Sequence, residues 1–215
     1  GIEILSTGGT AEYLKKHKIP VTEVSRITGF PEIMNGRVKT LHPKIFGGIL
    51  ARQGRDKKEL KENKIGPIDW VIVNLYPFEK TVEDEAVTEA EAVEQIDIGG
   101  PSLARAAAKN FARVTVITDP ADYKKITKEL KERGEVSLQM RKELALKAFE
   151  RTAEYDYAIA DWFRKTLGRP ELLDLHYEKV RKLRYGENPH QRAAFFRNPL
   201  NHDANVTNAR VLHGK

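Results

Sequence analysis

The first half of the chain alternates short apolar runs with amphipathic stretches, a pattern typical of strands joined by helices around a mainly parallel sheet. Apolar runs at Ile2 to Leu5, Val71 to Leu75 and Val114 to Ile117 predict three of the strands. The run from Val71 is β-branched and nearly uninterrupted, which predicts a buried strand. The pattern therefore predicts an α/β fold.

Helical stretches separate and follow these runs. The turn Ser6 to Thr10 leads into a predicted helix from about Ala11 to Lys18, and an alanine-rich helix with proline in its first turn runs from Gly99 to about Lys109. A longer apolar stripe recurs at three- and four-residue steps from Ser137 to about Thr166. Such a stripe indicates packing on the core or on a second subunit.

Composition narrows the class of protein. The chain carries a net charge of +6, but its charges alternate in sign along helical stretches, which favours a solvated surface over nucleic-acid binding and leaves a small anionic ligand open. It has no cysteine, which excludes disulfides and thiolate metal sites and fits a cytoplasmic protein. No apolar run approaches the roughly 20 residues of a membrane span. The start at Gly1, directly before a predicted strand, suggests a fragment.

Known catalytic and metal-binding motifs are missing. The six histidines have no paired spacing with carboxylates, so we expect no metal site. No GxSxG elbow is present, and the glycines of the Ser6 to Thr10 turn match neither the dinucleotide fingerprint nor the P-loop. Two interpretations of that turn stay open. It is a phosphate site, since backbone N–H groups and the helix dipole favour an anion, or it is an ordinary turn with a threonine cap.

Two further segments concentrate polar groups. Arg37, Lys39, Thr40 and His42 lie within six residues, where a guanidinium and an ammonium suit a phosphate or a developing negative charge, unless the segment is an exposed basic loop. Asp97 precedes Gly99 at the start of a predicted helix and is either a helix cap or a site carboxylate.

Lys109 ends the same helix, where its charge also suits the helix dipole. Asn74 and Tyr76 follow the most buried predicted strand, at the sheet edge where ligands bind in parallel folds, although a tyrosine at a rim also reaches water with its hydroxyl. None of these residues is decisive alone.

Seven motifs, in this order and over nearly the whole chain, resemble one family: the bifunctional purine biosynthesis enzymes that combine phosphoribosylaminoimidazolecarboxamide formyltransferase with inosine monophosphate (IMP) cyclohydrolase. The motifs are Ser6 to Thr10, Ile27 to Glu32, Gly36 to Pro43, Asn74 to Phe78, Gln95 to Gly100, Ala106 to Asn110 and Leu183 to Gln191. The resemblance is to the IMP cyclohydrolase part and implies a methylglyoxal-synthase-like α/β fold.

The resemblance also implies a reaction, the closure of 5-formamidoimidazole-4-carboxamide ribonucleotide to IMP with loss of water, without metal or redox cofactor. Catalytic roles are then expected for Lys39, Asp97, Tyr76 and Lys109. Lys39 and the N–H groups near Ile98 and Gly99 would stabilise the formyl oxygen, and Asp97 would orient the carboxamide or take its proton. Tyr76 and Lys109 would relay a proton to the departing water.

By the same resemblance, one set of residues holds the 5′-phosphate and ribose and one residue faces the base. The first set is Thr7, Gly9, Thr10, Arg37 and Thr40, and the second is Asn74. Thr7 replaces a serine that relatives often carry and keeps the hydroxyl. Relatives also have a strand and a helix before the position of Gly1, so we expect an open hydrophobic groove here and an incomplete phosphate site.

The expected organisation has three parts: the α/β domain over residues 1–120, a helical segment over 121–182, and the start of a formyltransferase domain over 183–215. Arg184 and Tyr185 would help bind that domain's nucleotide, whose co-substrate in the family is 10-formyltetrahydrofolate. We expect the catalytic part of that domain to be absent. We also expect the protein to form a homodimer and to act on a purine nucleotide. The alternatives are a phosphate-sensing regulatory module of the same fold and an inactive fragment.

Overall fold

The computed structural model describes residues 2–84, 86–169, 177–198, 204–210 and 212. They form two compact units, Gly1–Thr166 and Leu167–Lys215. The first unit holds the predicted α/β part together with the helices that follow it, so the compact units divide after Thr166. The family-domain boundaries after residues 120 and 182 stay predictions.

Two pairs of short parallel strands form the framework of the first unit. Strand β1 (Leu5–Ser6) pairs with β2 (Thr22–Glu23), and β3 (Trp70–Ile72) pairs with β4 (Thr115–Ile117). The predicted α/β class is confirmed, but the strand expected over Val71 to Leu75 is shorter, and Ile72 is 59% exposed. The prediction of a fully buried strand is wrong because β3 pairs on one side only and its other side faces an open cleft.

Helices surround these strands. In chain order they are α1 (Gly8–Lys16), α2 (Val24–Thr28), α3 (Pro43–Leu50), α4 (Lys57–Glu62), α5 (Phe78–Val82), α6 (Glu89–Glu94), α7 (Gly99–Lys109), α8 (Tyr123–Arg133) and α9 (Leu138–Thr166). The predicted bounds of α7 and α9 agree with the structure. Helix α1 begins earlier than predicted, because the glycines assigned to a turn form its first helical turn.

Helix α7 lies at the centre of the core. Its alanines Ala104, Ala107 and Ala108 have no exposed surface, and the helix contacts β3, β4, α3 and α9. Alanine both favours the helix and lets neighbouring backbones approach closely. These contacts fix the position of the α7 N-terminus, which borders the cleft.

Helix α9 packs on the core of its own chain. One face, which includes Leu144, Ala148 and Tyr155, is buried against α7, β4 and α5. The predicted stripe is divided by this packing, since Leu146 and Phe149 are 60% and 40% exposed. The ring of Phe78 in α5 meets that of Tyr155 edge to face at 6.2 Å, which joins the two helices.

In the second unit, β5 (Glu178–Lys182) and β6 (Ala194–Arg197) pair antiparallel. The periodicity of the sequence fades from Tyr185 onward, which predicts an irregular tail to Lys215, and β6 makes this prediction wrong for residues 194–197. The chain reverses where the Gly186 N–H donates to the Gln191 carbonyl over 2.9 Å, and the Arg181 guanidinium lies over the Phe195 ring. Across the described ranges of both units, no helix has the length and apolar character to cross a membrane.

Candidate active site

A cleft of about 1310 Å³ opens between the two strand pairs. Its apolar half is lined by side chains such as Leu5, Ile45 and Ile72. Its polar half is bordered by the N-termini of α1 and α7, by the 35–41 segment and by the loop after β3. The polar half contains most of the predicted site residues.

The N-terminus of α1 presents free backbone donors to the cleft. Thr7 occupies the cap position with extended backbone angles, but its side chain makes no capping hydrogen bond. The first helical bond is donated by Ala11 to the Thr7 carbonyl, so the N–H groups of Gly8, Gly9 and Thr10 precede the helical ladder. A helix end of this kind attracts an anion.

The segment before α3 reverses sharply and directs Lys39 towards α1. Met34, Asn35 and Gly36 all have positive φ, and Ile33 and Val38 bridge across the turn. A β-carbon on Gly36 would lie 2.8 Å from Lys39 Nζ, and one on Gly8 would lie 3.3 Å from the same atom. The ammonium of Lys39 therefore lies against both turns. Glu32 is its nearest carboxylate, at 3.8 Å.

Thr40 and Asp97 meet at the start of α7. The Gly100 N–H donates to Asp97 Oδ1 over 2.8 Å, so the carboxylate does cap the helix, as one of the two interpretations expected. A β-carbon on Gly99 would lie 3.1 Å from Thr40 Oγ1. The Arg37 to Pro43 segment therefore contacts α1 through Lys39 and α7 through Thr40.

Arg37 reaches a carboxylate that sequence reasoning missed. Its guanidinium forms an ion pair with Glu94 at the end of α6, and both side chains are more than half exposed. The hydrogen bond from Arg37 lowers the pKa of Glu94, and the same bond raises the pKa of Arg37. Both residues border the cleft.

Asn74 and Tyr76 also border the cleft, on the loop that follows β3, and both are exposed. Lys109 does not border it. It is exposed at the opposite end of α7, ten helical positions from Gly99, which corresponds to about 15 Å along the axis. The structure therefore does not bring Lys109 together with the predicted site residues at the α7 N-terminus.

Comparisons with known proteins identify the family of this chain. Residues 1–102 match the model of the MGS-like domain, and residues 107–215 match that of the AICARFT/IMPCHase bienzyme. The chain belongs to the AICARFT/IMPCHase family. It is 51% identical to a bifunctional purine biosynthesis protein PurH of Halalkalibacterium halodurans and 50% identical to that of Bacillus subtilis, each over 100% of this chain.

This member of the AICARFT/IMPCHase family spans 43% of the length of those two relatives. It is also similar to a solved structure described as "Crystal structure of ForH", with 35% identity and a TM-score of 0.67. That likeness covers 75% of this chain and 84% of the other. Family membership confirms the resemblance on which the site residues were predicted, but their individual roles stay predictions.

The remaining candidate residues lie elsewhere in the structure or outside the described residues. Arg184 and Tyr185, the predicted formyltransferase contacts, lie in the second unit and are exposed. His42 caps α3, its Nδ1 accepting from the Lys44 N–H over 3.1 Å. His176, His202 and His213 lie outside the described residues, and the described ones hold no group of three or more His, Asp or Glu suited to a metal.

Sequence reasoning also missed Tyr155, which lies beside the predicted site. Its hydroxyl lies between the Gln95 carbonyl and the Asp97 N–H, next to the predicted catalytic carboxylate. About sixty positions separate these partners in the chain. An aromatic residue in a helical stripe predicts core packing, so no sequence signal pointed to the site.

Proposed function

We propose that the polar half of the cleft binds 5-formamidoimidazole-4-carboxamide ribonucleotide and closes its second ring to give IMP. The carboxamide nitrogen attacks the formyl carbon, and the formyl oxygen leaves as water. One of the two protons on that water comes from the carboxamide nitrogen and the other from the formamide nitrogen. Oxidation states do not change, so the step requires no redox cofactor.

The observation that carries the proposal is the contact of Lys39 with the α1 turn and of Thr40 with Gly99. Through these contacts a cation, a carboxylate and two helix N-termini border one cleft. Because both reactants belong to one molecule, the site's first task is to hold the reactive rotamer. Asp97 suits this task, because its capping bond to Gly100 fixes the carboxylate beside the cleft.

The second task is to stabilise the formyl oxygen as it gains negative charge. The ammonium of Lys39 and the N–H groups at the α7 N-terminus supply that field in this proposal, while Tyr76 protonates the leaving oxygen. The N–H groups of Gly8, Gly9 and Thr10, with Arg37, would hold the 5′-phosphate. Asn74 would then face the base, and Thr40 the ribose.

The proposal extends to the parent protein, its location and its oligomeric state. We infer that the parent protein also carries the formyltransferase, with Arg184 and Tyr185 in its nucleotide site and 10-formyltetrahydrofolate as co-substrate. We expect a cytoplasmic enzyme that acts as a homodimer. The exposed apolar side chains on α9, such as Leu146 and Phe149, suit the subunit contact.

The test is formation of IMP from the formylated nucleotide, followed by chromatography. It is made with this chain and with the same chain preceded by the strand and helix that the family resemblance implies. We expect Lys39→Ala and Asp97→Asn each to lower kcat by about a hundredfold or more, with nucleotide binding retained. Lys124→Ala and Asp156→Asn, on exposed positions of α8 and α9, are the matched controls.

Unchanged turnover in both site variants would refute the assigned roles. Nucleotide binding without any IMP formation by the unsubstituted proteins would favour the sensing module instead. A folded chain whose melting temperature does not respond to IMP would favour the inactive fragment.

A further inference from the structure

The connection between α6 and α7 is held by a side chain that lies about sixty positions later in the sequence. Tyr155 of α9 has no exposed surface. Its hydroxyl donates to the Gln95 carbonyl and accepts from the Asp97 N–H, both over 2.8 Å. Both partners belong to the short connection that carries the Asp97 carboxylate.

The phenol is itself held in place from several sides. Phe78 meets the Tyr155 ring edge to face, and the Arg151 guanidinium lies 5.7 Å from the ring centre on the same helix. Arg151 is fixed by an ion pair to Glu79 of α5 over 2.6 Å. The hydroxyl therefore has a position that depends on the packing of α5 and α9 and not on a bound ligand.

The hydrogen bonds have a defined direction. Burial raises the pKa of the Tyr155 phenol, so it remains protonated near neutral pH and donates to the Gln95 carbonyl. Its oxygen then accepts from Asp97. The Asp97 backbone is thus fixed by Tyr155, while its carboxylate is fixed by the Gly100 N–H over 2.8 Å.

A buried hydroxyl requires partners, because an unpaired one is costly. Phenylalanine would fill the same volume without that requirement. The tyrosine at this position therefore adds hydrogen bonds that phenylalanine lacks, and both bonds are made to the backbone beside Asp97.

We propose that Tyr155 is a positioning residue for the ring closure, holding Asp97 from α9 at the angle that the reacting carboxamide requires. The inference rests on the proposed function and adds a residue outside the cleft to it. Removal of the hydroxyl lets the Gln95 to Asp97 backbone move. A small displacement of a reacting group lowers the rate more than it weakens binding.

The experiment compares Tyr155→Phe with Thr152→Val. Thr152 is equally buried one turn earlier on α9, and its hydroxyl donates within the helix to the Phe149 carbonyl over 3.0 Å. Both variants lose one buried hydroxyl, but only Tyr155→Phe removes contacts to the Asp97 connection. Amide hydrogen exchange by NMR, kcat and KM are measured for each.

For Tyr155→Phe we expect exchange at the Asp97 amide to accelerate about tenfold, with Ala107 in the middle of α7 unchanged. We expect kcat for IMP formation to fall about tenfold while KM stays within about twofold. Thr152→Val should leave all of these values near those of the unsubstituted protein.

Each contrary result has one meaning. Equal kcat in Tyr155→Phe and the unsubstituted protein, or equal losses in Tyr155→Phe and Thr152→Val, would overturn the inference alone. No IMP formation by the unsubstituted proteins would overturn the proposed function and this inference with it.

Discussion

The N-termini of α1 and α7 border the same cleft but are held very differently. Helix α1 buries one residue, Ala11, and its cap residue Thr7 makes no side-chain cap. The cap residue of α7, Ile98, makes no side-chain cap either, but the helix buries six residues, its Gly100 N–H donates to Asp97, and Asp97 is linked to α9. One end of the cleft is thus loosely supported and the other is built into the core.

This difference suits the two tasks of the proposed reaction. Groups that react must be held within a fraction of an ångström, whereas a phosphate held by several N–H groups tolerates small movements. The reacting end of the substrate is therefore expected at α7 and the phosphate end at α1. The difference can be tested by the same substitution at both ends.

Gly100→Ala should have the largest effect. A β-carbon there would overlap the Asp97 carboxylate and lie 3.0 Å from Leu75 Cδ2, within a buried part of α7. We expect the free energy of unfolding to fall by about 2 kcal/mol and turnover to be largely lost. Urea denaturation and the IMP assay measure these two effects.

Gly9→Ala is the matched control in the first turn of α1. Apart from its chain neighbours and the nearby backbone of α1, no atom of the described residues lies within 4 Å of the β-carbon it would add. We expect the free energy of unfolding to rise by about 0.5 kcal/mol, because alanine reduces the freedom of the unfolded chain. Equal destabilisation by the two substitutions would contradict the contrast between the helix ends.

Glu94→Gln should have a moderate effect, through the release of Arg37 from its ion pair. At neutral pH the ion pair with Arg37 persists, since the lowered pKa of Glu94 keeps it ionised until the solution is more acidic than its ordinary pKa. The glutamine amide has no charge to compete with the phosphate of IMP for Arg37. We therefore expect IMP to bind about twofold to fivefold tighter, as measured by calorimetry. Weaker binding would show that Glu94 positions Arg37 and does not compete for it.

Arg151→Gln should have the smallest effect. It removes the ion pair with Glu79 that helps to hold Tyr155 beside the connection before α7. Burial raises the pKa of Glu79 and is the largest single influence on it. The hydrogen bond and the charge of Arg151, together with a backbone hydrogen bond, outweigh burial, so the net pKa is lowered. Stability from this pair is present above the ordinary glutamate pKa and is lost as pH falls through the lowered value.

We therefore expect Arg151→Gln to lower the free energy of unfolding by about 0.5 kcal/mol at pH 7 and by less at acidic pH. Urea denaturation from pH 3 to pH 7 measures the difference. A loss that grows as the pH falls would contradict the sign of the Glu79 shift.

The same contrast explains which features were predictable. Helices α7 and α9 follow from local periodicity and composition, and family motifs indicated Lys39 and Asp97 as neighbours in one site. Tyr155 and Glu94 were missed because their partners lie about sixty positions away in the chain. Lys109 and Asp97 occur in neighbouring motifs, but they lie at opposite ends of α7, an arrangement that the motifs do not show.

The strand errors have a different cause. Hydrophobicity alone does not tell whether a strand is paired on one side or two, so the exposure of Ile72 was not predicted. Strand β6 follows a stretch rich in Gly and Asn that predicts a loop, and its pairing with β5 depends on a register that local pattern does not specify.

The most direct test of the central claim is an NMR titration of the labelled chain with IMP. The account predicts that the amides of Gly8 and Gly9 at α1 and of Ile98 and Gly99 at α7 shift along one saturation curve, while Gly134 after α8 does not. Shifts at neither helix end, or at only one of them, would contradict a single nucleotide site between the two helices.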